Sequence, residues 1–222
     1  MTTTPHPVPV PPRRPAPEEP AMTAIALPAP IPATPPTTRV GEVDNRAAYA
    51  GFGLAYALGH GSTAITTGPD PLVTLPGWLP TALLGAGLAA GTAFATLAAT
   101  RAQRGAGRSD VLSGRLLGLA WISGFAALFL AITGLAGALD APGLPTMLWP
   151  AGSGFVVGMV YLAEGAARRN VLHYALGTWL ALVSTAALLL GTPGLFWVLA
   201  VAGGGGYAVA TVLEHHRIAR TR

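Results

Sequence analysis

Six apolar runs, each about twenty residues long, follow one another from residue 46 to the C-terminal end, and no other feature constrains this chain as much. They cover 47–66, 79–100, 116–139, 146–167, 171–190 and 194–213. Crossing roughly 30 Å of hydrocarbon at about 1.5 Å per residue takes about 20 helical residues. Lipid offers no partner to a backbone N–H or C=O, so a segment that crosses as a helix satisfies both internally. Only 10% of the residues are charged and mean hydropathy is +0.52, whereas a soluble domain carries about 25% charge. The expected fold is therefore an all-α membrane protein. Residues 46–217 form six transmembrane helices arranged as three helical hairpins, and residues 218–222 form a short basic end.

The arginines give these runs an orientation. All 13 cationic side chains are Arg, with no Lys. Arg13, Arg14, Arg39 and Arg46 precede the first run; Arg101, Arg104, Arg108 and Arg115 lie between the second and third; Arg168 and Arg169 lie between the fourth and fifth; Arg217, Arg220 and Arg222 end the chain. The connections around Asp70, Asp140 and Thr192 hold none. Cytoplasmic loops collect positive charge, so a six-helix arrangement has both termini in the cytoplasm. The same placement accounts for the pI near 10.1, and nucleic acid is not an expected partner. Ala, Gly, Pro and Arg, whose codons are GC-rich, dominate the composition. That points to a bacterium and hence to the bacterial cytoplasmic membrane.

Residues 1–45 are of different material. Thirteen of the 21 prolines fall there, from Pro5 to Pro36. Proline lacks a backbone donor and fixes φ, which predicts a disordered Pro-rich cytoplasmic tail. No unbroken apolar segment follows Arg13 and Arg14, so the tail does not read as a signal peptide.

Inside the runs, small residues recur four apart: Gly87 and Gly91, Gly154 and Gly158, Ala202 and Gly206. In lipid, helices associate by close backbone approach, so these pairs are expected to pack helices within the bundle. Two outgoing helices carry aromatic stripes, Tyr49, Phe52 and Tyr56, then Trp121, Phe125 and Phe129. They read as core or lipid contact rather than a cofactor site. His60 is the titratable residue set well inside a run, and with Ser62 and Thr63 it is the candidate substrate or ion site. Gly203–Gly206 falls inside the last run; close packing or Ala/Gly-rich composition is the expected reading, and a broken helix of the kind that forms transporter sites is the alternative.

Glu164, His173, Glu214, His215 and His216 gather near the cytoplasmic ends. Glu164 with Arg168 and Glu214 with Arg217 have the spacing of ordinary surface pairs, and no metal site, cofactor or catalytic residue is expected. The chain has no Cys, no Walker motif and no HExxH, and Ala151-Gly152-Ser153-Gly154 lacks the first Gly of a rhomboid-type protease motif. The expected function is a non-enzymatic, permease-like or scaffold component that works with a partner. A small secondary transporter using His60 is the alternative, and a membrane enzyme ranks last. Arg101, Arg104, Arg108 and Arg115 are the candidate surface for anionic headgroups of the bilayer or for a protein partner. A short helix capped by Ser109 or Asp110 is expected within that loop.

Overall fold

The computed structural model describes residues 43–104 and 106–220. The expected Pro-rich tail lies outside the described residues except for its last three, Val43, Asp44 and Asn45. Among the described residues there is no strand. Helix α1 comprises Arg46–Leu54, a π-helical turn Ala55–His60 and Gly61–Thr66, in one continuous run. Then come α2 (Leu79–Ala102), α3 (Arg108–Ala138), α4 (Leu144–Ala167) and α5 (Val171–Ala186, closing in a 3-10 turn, Ala187–Leu190). The last helix, α6, comprises Gly191–Val198, a π-turn Leu199–Gly203 and Gly204–Ala219.

Because α5 runs into α6 without an intervening loop, the six expected helices are five continuous helical stretches among the described residues. Four stretches are long and apolar enough to cross a membrane: Leu79–Ala102, Arg108–Ala138, Leu144–Ala167 and Val171–Ala219. The last has 49 residues and is not one rod. Gly191 has φ 60 and ψ −165, and Thr192 is extended at φ −95 and ψ 138. Only glycine reaches the Gly191 conformation without strain. Beyond it the chain folds back, and Trp179 Nε1 of α5 donates to the carbonyl of Ala202 in α6 at 2.8 Å. Ala202 sits in the π-turn, where a widened helix leaves carbonyls for outside donors.

Burial is uneven among the helices. Tyr49, Tyr56, Tyr161, Leu180, Leu199 and Tyr207, from α1, α4, α5 and α6, sit in one buried cluster. Helices α2 and α3 bury one residue each, Gly91 and Ile132. Exposed Leu116, Leu119, Ile122 and Leu130 stud α3. Helices α2 and α3, both apolar along most of their length, thus lie at the edge, whereas α1, with its four glycines and its histidine, lies inside. An interior position is where a helix bearing polar side chains avoids contact with hydrocarbon.

The small residues set the close approaches. A Cβ on Gly87 would lie 2.6 Å from Ala55 Cα, and one on Gly51 2.7 Å from the Gly91 backbone N, so α1 and α2 meet backbone to backbone. Between α4 and α5, a Cβ on Gly158 would lie 2.5 Å from the backbone N of Ala181. Gly154 faces Ser184 and Tyr56, and Gly206 faces the Trp179 indole. The turn from α4 to α5 is equally tight. Arg169 takes a left-handed φ of 54, the Asn170 N–H closes back on Gly165 at 2.8 Å, and Asn170 Oδ1 then caps α5 by accepting from His173 N at 3.1 Å.

The arginine-rich connection departs from expectation. Instead of a separate short helix capped by Ser109 or Asp110, α3 itself begins at Arg108 after an extended Gly107, with Asp110 in its first turn. Its 31 residues span about 46 Å.

Candidate functional site

Polar side chains inside the bundle come from four helices. Near the Arg168 end, Tyr49 Oη of α1 and His173 Nδ1 of α5 share a 2.6 Å hydrogen bond between buried groups. The other ring nitrogen, His173 Nε2, lies 3.5 Å from Glu164 Oε2 of α4 and is buried without an aligned hydrogen bond. A carboxylate only accepts, so the tautomer with hydrogen on Nε2 lets Nδ1 accept from Tyr49 and points the Nε2–H at Glu164. Glu164 Oε1 in turn lies 2.8 Å from Arg168 Nε. These contacts form a chain from the helix end inward: Arg168, Glu164, His173, Tyr49.

Aromatic rings continue the chain. Tyr161 lies over His173 with centroids 4.2 Å apart, and Tyr49 stacks on His173 at 5.8 Å. Tyr207 meets Tyr49 and Tyr161, both at 6.4 Å, and Tyr56 at 5.4 Å. Tyr56 then meets His60 edge-on at 5.0 Å and 83°. Four tyrosines thus link the two interior histidines.

His60 is buried, at 5% exposure, between the Tyr56 ring and Phe196, whose centroid is 6.1 Å away. Ser62 Oγ donates to the Leu58 and Gly59 carbonyls at 2.6 and 3.0 Å, and Thr63 Oγ1 donates to Gly59 at 2.9 Å. Both hydroxyls therefore bond back to their own helix, and the three residues do not converge as one polar site. The two π-turns, ending at His60 and at Gly203, lie against each other. A Cβ on Gly203 would fall 2.5 Å from Tyr56 Cδ1.

At the chain ends Glu214 is fully buried. It accepts from Asn45 N at 3.1 Å and from Arg217 Nε and Nη2 at 2.7 and 2.8 Å. Arg217 Nη2 also donates to the Val43 carbonyl at 3.0 Å. The pair expected at the surface is instead a clamp, because residues 43–45 fold across Glu214 and remove it from solvent. His215 and His216 stay exposed, His215 Nδ1 lying 3.4 Å from Arg46 Nη1. Arg101, Arg104, Arg108 and Arg115 are all exposed, on the end of α2, the turn and the start of α3.

The stripe Tyr49–Phe52–Tyr56 faces the interior, while Phe129 of the second stripe is half-exposed. Tyr161, Tyr207 and the inward role of His173 carry no short-range signal. Each comes from a different helix, and their meeting depends on how the helices cross. Searches of protein-family models, of curated proteins and of solved structures return no match to this chain.

Proposed function

We propose that the chain is a six-span, non-enzymatic protein of the bacterial cytoplasmic membrane, with both termini inside, that carries protons as a small secondary transporter. The buried Tyr49–His173–Glu164 chain is the observation that supports this most. Ionisable groups within spanning helices are costly, and linked Asp, Glu and His side chains mark proton paths in membrane proteins. Ring contacts through Tyr161, Tyr207 and Tyr56 reach from His173 to His60, and the hydroxyls of these tyrosines are the groups that would hand a proton on toward the opposite end. Facing π-turns at His60 and Gly203 add two irregular segments where a transport site is commonly formed. The placement of charge supports this orientation. Arg168, Arg169 and Arg217 line one cleft with Val43, which gathers chain ends of the bundle on one side.

The test is proton flux in proteoliposomes under an imposed membrane potential, read with an enclosed pH dye. Wild type is expected to pass protons, and His173→Gln to lose most of that flux. Flux no greater than in protein-free vesicles contradicts the proposal.

A second reading, a scaffold that docks a partner, is favoured by α3. Its length exceeds a roughly 30 Å hydrocarbon core, and its exposed start combines Arg108 and Arg115 with exposed Leu112 and Leu116. Copurification in mild detergent tests it. A stoichiometric partner lost on Arg108→Ala/Arg115→Ala supports this reading, and purification of the chain alone opposes it.

A further inference from the structure

A cleft of about 540 Å³ opens at the Arg-bearing end of the bundle, between the start of α3, the α4–α5 turn and Arg217 of α6. We infer that it binds a phosphate group, either a lipid headgroup or a soluble phosphate ester. The volume falls within the range of small-molecule sites, about 300–1,000 Å³. Three arginines line it, Arg168, Arg169 and Arg217, against one acid, Asp110. They play different parts. Arg217 is committed to Glu214 and Val43 and forms a fixed wall. Arg168 is ion-paired with Glu164 through Nε, without an aligned hydrogen bond, and a guanidinium has further N–H donors beyond that one. Arg169 is exposed, and its left-handed backbone at φ 54 sets it at the corner of the turn.

Two further features support a phosphate ester, one favouring an anion and one its organic part. The first turn of α5, Val171 and Leu172, lines the same cleft, and the leading N–H groups of a helix favour an anion. Leu117 and Leu172 give the cleft an apolar side beside the arginines. Guanidinium forks match phosphate oxygens, and the apolar side accommodates the organic part of an ester. Asp110 opposes anion binding from across the cleft, which gives the inference a second handle of opposite sign. The cleft and the proton chain meet at Arg168, which belongs to both, whereas Arg169 and Asp110 belong to the cleft alone.

The test uses the full chain in detergent at matched ionic strength. Thermal unfolding is followed with added phosphatidylglycerol, phosphatidylcholine or glycerol phosphate, and retained lipid is read by native mass spectrometry. Phosphatidylglycerol is expected to raise the midpoint and stay bound where phosphatidylcholine does not. R169Q should weaken the apparent affinity about tenfold, the loss of one charge-assisted contact, and D110N should strengthen it. R169G, which keeps the left-handed turn unstrained, should match R169Q. Response to phosphatidylglycerol alone identifies a lipid headgroup, and response to glycerol phosphate as well identifies a soluble ester. Equal behaviour of all three additives overturns the inference, as does wild-type affinity in both Arg169 variants. Neither result depends on whether protons move.

Discussion

Gly158 shows how much one missing methyl can decide. A Cβ there would press on the backbone of Ala181 and Gly177, and backbone cannot rotate aside as a side chain does. Gly158→Ala should therefore push α4 from α5 and lower stability by about 1–3 kcal/mol, the cost of overpacking. Gly85 has nothing within 4 Å of its Cβ position, so Gly85→Ala should be neutral or slightly stabilising. Unfolding in mixed detergent compares the two, and equal effects would contradict the packing. Tyr49 makes a different kind of contact. Tyr49→Phe keeps the ring but leaves His173 Nδ1 buried without its 2.6 Å partner. A loss of about 1–3 kcal/mol follows from stranding a buried polar atom. Tyr174→Phe, at a half-exposed position in the same helix as His173, should be silent in the same assay.

At the scale of the element, helix α3 illustrates what a hydropathy reading conveys and what it omits. Its apolar portion, 116–139, was visible in the sequence, but its true start at Arg108 was not. Arg108, Ser109 and Asp110 are polar, yet helix continues wherever backbone bonds continue, with or without lipid around it. The α5–α6 junction is tighter than the sequence suggested. A connection was expected around Thr192, and the break there is only two residues long, Gly191 and Thr192, with helix on either side. The glycine spacing of α2 and α4 was legible because close approach demands small residues locally. The Tyr–His–Glu chain was not, since its members lie in three helices and only their crossing brings them together. The chain contains no cysteine, so single-Cys variants are clean probes of the α3 boundary. Leu112→Cys should react with a membrane-impermeant maleimide added from the cytoplasmic side, and Leu130→Cys should stay protected although both side chains are exposed in the isolated molecule. Reaction at both sites, or at neither, would remove the protruding segment.

For the molecule as a whole, the arrangement is an inner group of α1, α4, α5 and α6 with α2 and α3 on its flank. Helix α1 is less apolar than the four stretches long and apolar enough to cross a membrane, and it contributes Tyr49, Tyr56 and His60 to the interior. Its weak hydropathy and its buried polar residues have one cause, an interior position. The central claim is that the five helical stretches make six crossings, with α1 inserted and the 49-residue stretch Val171–Ala219 crossing twice. The most direct measurement is labelling of single cysteines in intact cells by an impermeant maleimide. Positions 72, 142 and 192 should label from outside; positions 45, 106, 169 and 220 should label only after the membrane is opened. Protection of position 192 in intact cells, or labelling of position 45 from outside, would contradict the account.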